Sequence, residues 1–182
     1  LWLERVSVGS VMALIVVDAL SMPSPIVATV AIVAGLANAA RLWLWQPWRT
    51  VHKPILWILH AAYAWIPLHL LLRTAAAIGL VSTSVSTHAL TVGAIGGLTL
   101  GMMTRTARGH TGRALQASRT ETLCYALLQI GALVRVFLPV AAPGLTLAAV
   151  ILSGALWSIA FGLFAIYFWP ALTRPRLDGR PG

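Results

Sequence analysis

The 182-residue chain carries a net charge of +9, yet only 9% of its residues are charged and 59% are hydrophobic. A water-soluble domain uses roughly 25% charged residues and cannot expose this much apolar surface, so a soluble globular fold is excluded. In a soluble chain the positive charge would raise nucleic acid as a partner; here the basic residues sit between apolar blocks, which argues against it.

Six apolar blocks are predicted to cross a bilayer as helices, at 6–22, 26–45, 55–72, 75–103, 120–139 and 145–169, each near the length that spans a hydrocarbon core. No short alternating segments of a β-barrel occur. The fold class is therefore all-α, a polytopic transmembrane helical bundle of about six spans, forming one domain over 1–182. Pro23, Pro25, Pro47, Pro54, Pro143 and Gly144 punctuate the gaps.

The first two blocks form a hairpin around 21–25. Asp18 near the outer end of block one is expected to reach the interface, and Arg41 in block two to snorkel toward the cytoplasm. Asn38, one turn deeper, reads as a hydrogen-bonding group between helices. In block four Ala89, Gly93, Gly97 and Gly101 recur every fourth residue, a ridge without bulk that lets a neighbouring backbone approach. At about 100° per residue Gly97 lies opposite His88 on that helix. Gln129, Ser153 and Gly154 in the last two blocks read as structural. Cys124 is the single cysteine and reads as buried and inert. The basic, proline-rich tail from 173 to 182 is expected to be disordered.

If all six blocks span, alternate gaps face opposite sides. One side then receives Arg5, Arg41, Arg49, Lys53, Arg105, Arg108, Arg113, Arg119, Arg174, Arg176 and Arg180, and the other only Arg73 and Arg135. This bias places both ends and the two basic loops in the cytoplasm. Trp43, Trp45, Trp48, Trp57 and Trp169 gather at the same boundary as an aromatic belt. The chain opens on Leu1 without a signal-peptide cleavage site, and is expected to be an internal portion of a longer protein.

Five histidines remain. His60 and His88 lie inside apolar blocks, His69 lies toward the outer end of block three, and His52 and His110 belong to cytoplasmic segments. An imidazole in hydrocarbon needs a partner, either a ligand or a hydrogen bond across a helix interface. Neutral imidazole suits haem iron and copper. Trp57, His60, Ala64 and Pro67 share a helix face that would make a wall for a flat macrocycle. At about 1.5 Å per residue, His88 lies roughly 20 Å and His60 roughly 10 Å from the cytoplasmic ends of their helices, so His69 is nearer His88 in depth. The segment 104–119, with Arg105, Arg108, His110, Thr111, Gly112 and Arg113, is read as a cytoplasmic loop. Its arginines would suit an anion such as a haem propionate, and His110 with His52 a metal at the boundary.

Two stretches resemble the NnrS family of haem- and copper-containing membrane proteins of nitric oxide metabolism. They are LWILHAAYAW at 56–65 and HALTVGAIGGLTLGMMTRTARGHTGR at 88–113. The resemblance implies a chain that is roughly the C-terminal half of a protein with about twelve spans, partnered by the N-terminal half. It also implies a haem site and a copper site in the bacterial inner membrane, serving nitric oxide turnover or resistance to nitrosative stress. His60, His88 and His110 are the metal-binding candidates it implies, with Arg105 and Arg113 beside them, and His88 is the expected axial ligand with His60 as its partner. A transporter or channel subunit without a redox cofactor is the alternative; it would call for broken helices or a ring of ionisable groups near the midplane.

Overall fold

A computed structural model describes residues 2–177 and 179, and every regular element among them is helical. Six helices run α1 Trp2–Ala19, α2 Ser24–Leu44, α3 Pro54–Ala77, α4 Thr83–His110, α5 Arg119–Ala141 and α6 Thr146–Leu172, with short 3-10 turns at Pro47–Thr50 and Pro143–Leu145. Helices α2 to α6 are each long and apolar enough to cross a membrane. The 18 residues of α1 include Glu4, Arg5 and Asp18, and this helix falls outside that group.

The elements end where backbone chemistry dictates. Pro25 and Pro54 stand in the first turns of α2 and α3, where a missing N–H leaves no intrahelical bond unmade. Gly79 and Gly112 follow α3 and α4 with φ of 79° and 69°, a conformation that suits glycine. Helix α5 opens on a capping box: Ser118 accepts from the Glu121 amide, and the Glu121 carboxylate accepts from the Ser118 amide.

Two boundaries differ from expectation. Block four merges the end of α3 with α4, because the turn between them, 78–82, is itself mostly apolar (Ile78, Leu80, Val81). The segment read as a loop from 104 is helical through His110, and only 111–118 connects to α5. Arginine and alanine are good helix formers and carry the threonines with them beyond the apolar layer, so the end of a block is not the end of its helix.

Successive helices pack on one another, and α6 returns against α4. One buried cluster joins Ile58, Leu100, Tyr125, Leu128, Phe164 and Phe168 from α3 to α6. A second joins Trp65, Val85, Ala89, Ala132 and Val136, and a third ties α1 to α3 through Leu14, Ala31, Ala34 and Leu70.

The small-residue stripe of α4 faces α3 along its length. A Cβ added to Gly93 would lie 2.3 Å from the Trp65 ring, one on Gly97 2.6 Å from Ala62, and one on Gly101 2.9 Å from Leu59. Residues Ala89–Ile95 form a π-helical segment. Four residues overshoot one α-helical turn by about 40°, whereas the wider i→i+5 turn drifts the other way, so the stripe stays turned toward α3.

Three arginines pair with the three acids among the described residues: Arg41 with Glu4, Arg73 with Asp18 and Arg108 with Glu121. Asp18 and Arg41, expected at the interface, thus join α1 to α3 and α1 to α2, and Arg41 also lies over the Trp45 ring. Asn38 accepts from the Tyr63 hydroxyl at 2.6 Å, a bond between α2 and α3. Cys124 is buried. Of the tail, residues 178 and 180–182 lie outside the described residues, while the Leu177 amide donates to the Thr111 carbonyl at 3.2 Å.

Candidate functional site

The three histidines within the spans share one arrangement, fixed by their hydrogen bonds. The Thr50 hydroxyl donates to the Pro47 carbonyl at 2.7 Å, so at 3.1 Å from His60 Nδ1 its oxygen can only accept. Nδ1 of His60 therefore carries a proton, and in the neutral ring Nε2 carries the lone pair. His69 Nδ1 donates to the Ser86 carbonyl at 2.7 Å, and His88 Nδ1 to the Ser84 carbonyl at 2.6 Å, which fixes the same tautomer in both. A backbone or hydroxyl partner on Nδ1 is the usual means of presenting Nε2 to a metal.

The surroundings of the three rings differ. His60 lines a pocket of about 400 Å³ between α2 and α3, walled by Pro47, Trp48, Trp57, Ala61 and Ala64. Trp57 and Ala64 belong to the expected macrocycle wall; Pro67 is buried elsewhere along α3. The Trp45 ring meets the His60 ring edge-on at 6.2 Å. His88 lines a separate pocket of about 420 Å³ at the opposite end of the bundle, with Ser82, Ser84, Arg135 and Pro143. There the Arg135 guanidinium donates to His88 Nε2 at 2.8 Å. His60 and His88 thus line different pockets. His69 stands beside Ser86 of α4, at the depth of His88, and shares a third pocket with Arg73.

His110 ends α4 and is exposed beside an apolar pocket of about 530 Å³ that also includes Met102, Met103 and Phe164. His52 is exposed after the 3-10 turn, and no group of three or more histidine, cysteine or acidic side chains gathers among the described residues. Arg105 is half-buried on α4, in helix where a loop was expected. Arg113 is half-buried in the connection to α5, with its Nη1 buried and unbonded among the described residues.

Two residues of these sites were passed over in the sequence. Glu121 is 1% exposed and receives both the Arg108 guanidinium and the Ser118 amide, so it holds the 111–118 connection against α4. Its signal was the Ser118-x-x-Glu121 spacing before an apolar run. Arg135 was counted only as a charge on the far side; its bond to a histidine 47 positions earlier has no local pattern.

A helical bundle with five membrane-length spans and histidines set into its pockets defines a polytopic membrane protein. The chain belongs to the NnrS protein family, whose family model matches residues 1–176. No curated protein and no solved structure matches the chain.

Proposed function

We propose that the chain is part of a haem- and copper-binding bacterial inner-membrane protein of nitric oxide metabolism or nitrosative stress resistance, completed by an N-terminal half. The observation that carries this reading is His60, with Nδ1 held by Thr50 so that Nε2 is left free beside an apolar pocket walled by tryptophan and alanine. These residues fit a haem: a neutral imidazole suits the iron, and flat and small side chains suit a macrocycle. When bound, haem iron supplies a centre for a small diatomic ligand such as nitric oxide. The protein's share is to fix the His60 ring through Thr50 and to exclude water with Trp48 and Trp57. Arg105 and Arg113 are the cytoplasmic candidates for propionates, Arg113 with a buried unbonded nitrogen.

Copper is assigned to the His110 end of α4, where Met102 and Met103 offer the soft thioethers that suit Cu(I). The charge of Arg108 on the same helix is offset by Glu121, which lessens the repulsion a cation would meet there. His88, like His60 and His69, presents Nε2 as the acceptor nitrogen, and serves iron only if Arg135 gives way.

The test is the visible spectrum of the intact protein after haem-replete expression. A Soret band lost in His60→Ala, in protein that still inserts, supports haem in the His60 pocket. Its loss in both His60→Ala and His88→Ala would mean that haem binding needs both imidazoles, although they line different pockets here. Absence of the band in the wild type overturns the haem reading. Metal analysis should show copper falling in His110→Ala with iron unchanged.

A further inference from the structure

The pocket around Arg135 is not the one that His60 lines, and the cofactor reading reaches it only if His88 gives up its bond to Arg135. Its lining includes Ser82 and Ser84 from the start of α4, His88 one turn on, Arg135 from α5, and Thr146 from α6. The three acids among the described residues are committed to Arg41, Arg73 and Arg108. Arg135 has instead a neutral partner, the Nε2 lone pair of His88. That bond orients the guanidinium but leaves its charge whole, and it uses one of five N–H donors. Arg135 is half-buried and Ser82 and Ser84 are exposed, so the guanidinium is reached by water. Its unneutralised charge and remaining donors, converging with two hydroxyls in one pocket, favour an anion there.

The neighbouring hydroxyls decide which donors are available. Thr146 already donates to the Pro143 carbonyl at 2.7 Å. Ser82 makes no side-chain capping bond at the start of α4. The Ser84 hydroxyl oxygen stands 3.2 Å from His88 Nδ1, which carries its own proton, so the serine proton is left for another acceptor. One fixed cation and two hydroxyl donors suit a single negative charge spread over several oxygens. The planar guanidinium fork matches two such oxygens side by side.

We infer that this pocket binds a small monovalent oxyanion from the aqueous phase, held by Arg135, Ser82 and Ser84, with His88 as the residue that positions Arg135. The proposal stands apart from the cofactor reading, because nothing in it requires iron or copper.

The experiment is calorimetric titration of the full-length protein in detergent with sodium nitrate at constant ionic strength. The wild type should show one saturable site, and Arg135→Gln should abolish it. Arg135→Lys keeps the charge without the fork and should weaken binding about tenfold. His88→Ala, which frees Arg135 to swing, should weaken it too. Absence of saturable binding in the wild type, or equal binding by Arg135→Gln, would overturn the proposal. Should Arg135→Gln fail to accumulate, Arg135→Lys and Ser82→Ala decide the matter, and unweakened binding by both overturns it. A lipid phosphate carries similar oxygens, so the titration is repeated with added phosphatidylglycerol. Unchanged affinity supports an aqueous anion, and loss of the nitrate site to the lipid overturns that source. No arm reads a Soret band, so failure here and failure of the haem reading are separate results.

Discussion

Arg108 grips Glu121 through both carboxylate oxygens, with Nε 2.7 Å from Oε1, while its Nη1 donates to the Ala114 carbonyl at 3.0 Å. One side chain thus fastens the end of α4, the connection after it and the start of α5. Replacing Glu121 with Gln leaves a guanidinium without its counter-charge and weakens the cap of α5. Removing one partner of a buried pair costs about 3–5 kcal/mol. Folded yield in detergent should fall sharply and the melting point with it. A Glu121→Gln protein as stable as wild type would remove the pair from any account of stability.

The glycine stripe gives a second expectation. Leucine at Gly97 must enter space held by Ala62 and Gln129, since even a Cβ would sit 2.6 Å and 2.8 Å from them. Overpacking of this kind costs about 1–3 kcal/mol or more, and here the obstacle includes the short side chain of Ala62, which cannot swing away. Ala148→Leu, at an exposed position of α6, should be mild. Accumulation of the two variants in membranes, measured side by side, checks this.

Trp65 Nε1 donates to Gln129 Oε1 at 2.8 Å, and Gln129 Nε2 is buried without a partner among the described residues. Trp65→Phe should cost about 1–3 kcal/mol, the penalty for leaving a buried polar group unbonded, together with lost packing against Gly93. Adding Gln129→Leu removes the stranded amide and should restore part of the loss. A double-mutant cycle on the melting free energies reads the coupling.

The charge pattern sets an expectation for membrane orientation. With the basic segments inside, reporters fused at Gly144 and after Gly182 should report opposite compartments, the first outside and the second in the cytoplasm. The same compartment for both would mean that the number of crossings after Gly144 is not odd.

The helices were legible because each span is a continuous apolar block, and the stripe because glycine at every fourth position has few other uses. Helix ends were less legible. Thr104–His110 is polar enough to read as loop, yet lies in the same helix as the apolar residues before it. The tautomers were beyond reach, since they depend on which oxygen stands at Nδ1; for His60 that is Thr50 in a turn ten positions earlier. Depth was readable from residue counting, and it set His69 level with His88, where its bond to Ser86 now places it. Partnership was not. Arg135 and His88 belong to different helices, and nothing in either local sequence names the other.

The partners of Arg73 and Arg135, an acid and a neutral imidazole, also have an order in time. Asp18 precedes Arg73 in the chain, and His88 precedes Arg135. These two arginines are the ones that the charge pattern sets apart from the basic loops. A chain made from its N-terminus delivers each of them after the side chain that will receive it. With the basic loops inside, each of these guanidinium groups is carried across lipid only after the side chain that will receive it has been made.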